Sequence, residues 1–82
     1  MAEPAQLTLV TRTDCGLCED LARDLSRLHV PFATVDIDDD AELLRRFDEG
    51  VPVLLYDGVE LGRAPFTPTS LQQSLRAAGV LR

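Results

Sequence analysis

The chain has 82 residues, room for one compact domain with a single core and too few for a catalytic domain plus a separate substrate domain. Hydrophobic residues make up 45% of it and charged ones 27%, the balance of a folded globular domain rather than a disordered tail. Fourteen acidic residues against eight arginines leave a formal charge of −6 with no basic stripe, which argues against nucleic acid and anionic membranes as partners. The first residues lack a basic start, and no segment approaches the roughly 18 apolar residues of a membrane span, so the expected address is the cytosol. In a reducing compartment a closely spaced cysteine pair points to redox catalysis or metal rather than to a static structural disulfide.

The chain is expected to form one domain over residues 1–82. Leu7 to Thr11 is short, apolar and β-rich, and the pattern then changes to a helical period at Leu17, Leu21, Leu25 and Leu28, with Cys18 and Ala22 beside the stripe. Glu19, Asp20, Arg23, Asp24 and Arg27 occupy the other face, so this helix should lie on a core with its charged side in water. Pro31 disfavours helical geometry in the residue before it and is expected to end the helix at His29 to Pro31. Phe32 to Ile37 reads as a second strand, with Ala33, Val35 and Ile37 on one side and Phe32, Thr34 and Asp36 on the other. A strand, a helix and a strand in this order imply a parallel, right-handed crossover.

Further on, Asp39 and Glu42 have the spacing of a reciprocal capping box, Gly50 suits the position just past a helix end, and Leu43, Leu44 and Phe47 should face the core. Val53 to Tyr56 and Val59 to Leu61 flank Asp57-Gly58, a dipeptide suited to a tight two-residue hairpin turn. Thr67 and Pro68 open a last helix with Leu71, Leu75 and Ala78 on one face, and Gly79 marks its end. The order is β-α-β-α-β-β-α, an α/β domain with a four-stranded mixed sheet flanked by helices.

Cys15 thus falls where the first strand hands over to the first helix, and Cys18 lies one turn further on. Unpaired N–H groups and the positive end of the helix dipole favour a thiolate at the first turn, below the free pKa of roughly 8.5. This makes Cys15 the expected nucleophile and Cys18, on the apolar stripe, the expected resolving thiol. Asp14, Glu19 and Asp20 oppose the thiolate and Arg12 favours it, so Cys15 should stay partly protonated at neutral pH. A structural zinc would need four ligands, and the chain has no second cysteine pair and only His29. Buried filler is the plain alternative for both cysteines.

Other residues have plainer readings. Asp36, Asp38, Asp39 and Asp40 lack the glycine and distal glutamate of a calcium loop and read as helix capping and solvated loop. His29 has the type of a general base, but its place suits a helix-end role. Arg63 at the hairpin's exit either binds a substrate carboxylate or is solvated. Tyr56 and Phe47 have core spacing. Pro52, without a ladder donor, marks either a simple strand start or a cis peptide.

Cys15-Gly16-Leu17-Cys18 after the first strand, Val51-Pro52 opening the third, and the order of elements together resemble a glutaredoxin, the short branch of the thioredoxin superfamily, over nearly the whole chain. The resemblance implies a cis proline at Pro52 beside the cysteine pair. It implies that the backbone of Val51 pairs with substrate, and that Arg12 meets a glutathione carboxylate. Gly16-Leu17 replaces the family's usual Pro-Tyr, so the aromatic lining of a glutathione groove is missing. Gly50 replaces the usual threonine, and Gly62-Arg63-Ala64 replaces Gly-Gly followed by an acid. The chain is more similar to the small glutaredoxin-like group of unassigned substrate, and its GRAPFTP segment faintly resembles the hydrogen donors of ribonucleotide reductase.

The expected function is a thiol–disulfide oxidoreductase that reduces protein or small-molecule disulfides. Cys15 and Cys18 would be catalytic, and Arg12, Gly16, Leu17, Val51, Pro52, Gly62 and Arg63 would line the substrate site. No bound cofactor or metal is expected; glutathione would be a possible reductant. Partners would be a disulfide-containing protein or a glutathione mixed disulfide, with a reductase system, and the chain would act as a monomer. The rival is a non-catalytic peptide-binding module of the same fold. A glutathione-bridged iron–sulfur cluster is disfavoured by the incomplete groove.

Overall fold

Strand β1 (Leu7–Thr11) is buried from both sides: Leu7 and Leu9 join one apolar cluster and Val10 another. A strand covered on both faces reads as a continuous apolar run, as this one does. The computed structural model describes residues 7–47, 50–63 and 66–81, and within them the order is β1, α1 (Gly16–Arg27), β2 (Ala33–Asp36), a single 3-10 turn (Ile37–Asp39), α2 (Ala41–Phe47), β3 (Val53–Tyr56), β4 (Val59–Arg63) and α3 (Pro68–Ala77). The strands lie side by side as β2-β1-β3-β4. β1 pairs parallel with β2 and antiparallel with β3, and β4 returns antiparallel to β3. The α/β class and mixed four-stranded sheet read from the sequence are therefore observed.

Leu21 and Leu25 of α1 and Leu71 and Leu75 of α3 pack with Leu7, Leu9 and Leu54 on one face of the sheet. Ile37 and Phe47 pack with Val10, Val53 and Leu55 on the other face, with Leu43 and Leu44 of α2 partly buried against them. Each buried leucine contributes roughly 1.5 to 3 kcal/mol relative to leaving it in water.

Several local features differ from the sequence reading. Leu17 was expected on the apolar stripe of α1, yet it is 53% exposed; the first turn carries Leu17 out to solvent, while Cys18, one residue on, is buried. Helix α1 ends at Arg27 with Leu28 as its cap residue, so His29 to Pro31 does terminate it as expected, but through the backbone of His29 rather than through Pro31. His29 adopts φ 57°, its N–H bonds to the Ser26 carbonyl at 3.0 Å and that of Val30 to the Leu25 carbonyl at 3.1 Å, the paired bonds of a left-handed helix terminus usually made by glycine. Gly79 closes α3 in the same way, at φ 82°.

β2 is shorter than expected because Ile37 already belongs to the 3-10 turn, where the Asp38 N–H donates to the Asp36 side chain. Helix α2 is capped by Asp40, not by an Asp39–Glu42 box: Asp40 Oδ1 accepts from the N–H of Glu42 and of Leu43, both at 3.0 Å. Asp57 and Gly58 turn the hairpin with φ 53° and 83°, both left-handed as a tight primed turn requires. β4 runs two residues beyond its expected end, because its register shifts between Leu54 and Leu55. Leu55 faces Glu60 and Leu54 faces Gly62, so Leu61 is the extra residue of a β-bulge.

Candidate functional site

β1 and β3 run antiparallel, with Val10 opposite Val53. The end of the sheet where β1 releases the chain toward Cys15 is therefore the end where Val51 and Pro52 enter β3. Arg63 pairs with Val53 from the other side, and Thr11 pairs with Asp36. Topology thus gathers Arg12, Cys15, Cys18, Val51, Pro52 and Arg63 at one edge of the molecule.

Asp14 takes a left-handed φ of 58° and turns the chain into α1. Cys15 is the N-cap residue, with extended backbone angles, and its sulfur accepts the Cys18 N–H at 3.1 Å. Serine, threonine or aspartate usually satisfies this orphan donor; here a sulfur does. Cys15 and Cys18 are joined as a disulfide with Cα atoms 5.2 Å apart, inside the usual range for such a bond. Cys15 is half-buried and Cys18 is only 3% exposed, so an approaching molecule meets Cys15 first.

The surface around this sulfur is open. A Cβ placed on Gly16 would meet nothing within 4 Å, and Leu17 stands exposed beside it. Arg12, its side chain 34% exposed, pairs with Asp38 at 3.5 Å. The Thr13 hydroxyl donates to Asp36 at 3.3 Å, and Asp36 also accepts the Asp38 N–H at 2.9 Å. Asp36 and Asp38, which read as capping and loop residues, thus also hold the segment leading into Cys15. Long-range pairing of this kind leaves no mark in local spacing.

On the far side of the edge, Pro52 is buried, Val51 is half-buried, and the peptide bond between them is cis. Arg63 crosses Gly50, where a Cβ would lie 2.7 Å from the arginine's Nη1. Its guanidinium carbon sits 5.1 Å from the centre of the Phe47 ring, and its Nε donates to Glu60. At Gly62 an added Cβ would lie 3.1 Å from the Phe66 ring, which packs closely against it. Ala64 lies outside the described residues. His29 caps the opposite end of α1, about 18 Å along a twelve-residue helix from Cys15, and takes no part in this site. Among the described residues no three histidine, cysteine or acidic side chains cluster as a metal site, and no helix is long and apolar enough to cross a membrane.

A family model described as a glutaredoxin-like domain matches residues 6–77. The chain belongs to the glutaredoxin-like domain family. This glutaredoxin-like domain is similar to a structural-genomics target protein from X. campestris, with 34% identity over 87% of this chain and 96% of that one, at a TM-score of 0.71. It is also similar to protein Ne2328 from Nitrosomonas europaea, with 25% identity over 89% and 93% of the two chains and a TM-score of 0.72. A buckwheat glutaredoxin solved as a glutathione complex shares the fold, at 19% identity over 93% and 73% of the chains and a TM-score of 0.60. No curated protein matches the chain. Family and cysteine geometry together support a thiol–disulfide redox role for the glutaredoxin-like domain.

Proposed function

We propose that this glutaredoxin-like domain is a thiol–disulfide oxidoreductase that reduces disulfides of proteins or small molecules. The observation that carries the reading is the Cys15–Cys18 disulfide at the first turn of α1, with the outer sulfur capping the helix and the inner one buried. In the reduced protein the Cys15 thiolate attacks one sulfur of a substrate disulfide. A Cys15–substrate bond forms and the other substrate sulfur leaves as a thiolate. Cys18, deprotonated in its turn, then attacks Cys15 Sγ, and the second substrate thiolate departs as the Cys15–Cys18 disulfide forms. Two electrons have moved from the protein to the substrate, and an external thiol returns them.

The Cys18 N–H that caps the Cys15 sulfur, together with the helix dipole, favours the attacking thiolate in the first step. Arg12, Gly16, Leu17, Val51, Pro52, Gly62 and Arg63 line the substrate's approach in this reading, with the Val51 backbone pairing to it. Glutathione, which the buckwheat glutaredoxin binds, is one candidate reductant and a reductase system is the other. The working compartment is a reducing one such as the cytosol, and the domain acts as a monomer.

Two variants test the proposal. Cys18→Ser should accumulate a mixed disulfide with its substrate, and Cys15→Ser should lose disulfide reductase activity. Full activity in Cys15→Ser would overturn the reading, and a pair that cannot be oxidised without unfolding the domain would favour a peptide-binding module.

A further inference from the structure

Arg63 is held in place by four separate features. Along a regular strand, residues three apart point to opposite faces, so Glu60 and Arg63 would not meet. The bulge at Leu61 changes the phase: Glu60 lies opposite Leu55 and Arg63 opposite Val53, both on the sheet face that α2 covers. Glu60 accepts from Nε, leaving the terminal amino groups outside that contact. Phe47, itself buried, offers its ring to the guanidinium. Gly50 leaves room for this placement, since a Cβ there would lie 2.7 Å from Nη1 and the arginine would have to shift.

The result is a guanidinium, on a side chain 46% exposed, fixed beside the residue that precedes Val51 and Pro52. It sits in a chain of net charge −6 whose Asp14, Glu19 and Asp20 flank the cysteine pair. A general anionic partner would be repelled, whereas a partner with one carboxylate placed to reach Arg63 would be drawn into register.

We infer that Arg63 is a specificity-determining residue that selects disulfide substrates carrying a carboxylate next to the reactive cysteine, and that Gly50 is the positioning residue that makes this possible. The inference rests on the oxidoreductase reading above. The carboxylate can belong to an acidic residue of a polypeptide or to glutathione.

The test is stoichiometric exchange between the reduced domain and two synthetic peptide disulfides that differ only in glutamate or glutamine beside the cysteine, with glutathione disulfide as a third substrate. The wild type should react about fivefold faster with the glutamate peptide at low salt, the size expected of a partly exposed charge pair, and salt should erode the preference. Arg63→Gln and Gly50→Thr should each bring the ratio to about one, with circular dichroism used to check that both fold. Should Gly50→Thr fail to fold, Arg63→Gln and the salt series decide. If Arg63→Gln slows glutathione disulfide as much as the glutamate peptide, the tripeptide is a source of the carboxylate; if it slows only the peptide, the source is an acidic polypeptide. A wild-type ratio near one, or a ratio unchanged in Arg63→Gln, overturns the inference and leaves the oxidoreductase standing. Absence of exchange with all three substrates overturns both.

Discussion

The sulfur of Cys15 accepts the backbone N–H of Cys18 at 3.1 Å, so the outer cysteine is the cap of the helix on which the inner one is buried. The same N–H donor serves the disulfide and, after reduction, a thiolate, whose charge it stabilises more strongly than a neutral sulfur. Helix start and reactive group are therefore one structural element.

That arrangement sets the acidity of Cys15. The capping N–H and helix dipole pull its pKa below the free value of roughly 8.5, while Asp14, Glu19 and Asp20 pull it back up. A thiolate absorbance titration of the Cys18→Ser variant should place the midpoint below that of a free thiol, with alkylation rates rising over the same pH interval. A midpoint below about 5 would show that the acidic neighbours carry no weight.

Leu25 is fully buried among residues of β1, β3 and α3. Leu25→Ala should cost about 2 to 5 kcal/mol in denaturant unfolding, through lost burial and the cavity left behind. A cost under about 1 kcal/mol would mean that α1 is not seated on the sheet as described.

His29 holds a left-handed conformation that glycine adopts without penalty. His29→Gly should raise stability by up to about 1 kcal/mol, the left-handed cost relieved less the entropy that glycine adds to the unfolded chain. Gly79→Ala, at the matching place in α3, should move stability by a similar amount in the other direction. Thermal melts of the two variants compare them directly.

Arg12 and Asp38 are both partly exposed, and such pairs contribute little to stability. Asp38→Asn should change the unfolding free energy by less than about 1 kcal/mol. Arg12→Gln should instead slow exchange with glutathione disulfide, which separates its part in substrate binding from its part in the fold.

Elements with a strong local period were legible in the sequence. β1, α1, the Asp57-Gly58 hairpin and the Thr67-Pro68 start of α3 each depend on residues within a few positions of one another. The junction holding Cys15 was legible for the same reason, since a strand pattern there gives way to a helical one. Leu17 was misplaced because its exposure depends on where the first turn of α1 stands relative to the sheet. The left-handed end at His29 carries none of the usual glycine or asparagine signal, and the cap of α2 differed by one residue among three consecutive aspartates. The contacts of Arg63 with Gly50, Phe47 and Glu60, and of Arg12 with Asp38, join segments whose register only the folded sheet sets.

The extra residue at Leu61 also bears on how this site can vary. Removing one residue from the middle of β4 would restore regular alternation, turning either Glu60 or Arg63 to the opposite face while leaving the hairpin turn and both cysteines untouched. The charge beside the entry to β3 is thus encoded in strand length as well as in residue identity. Close relatives with the same C-x-x-C chemistry could diverge in substrate through a single-codon insertion or deletion far from the cysteines in sequence.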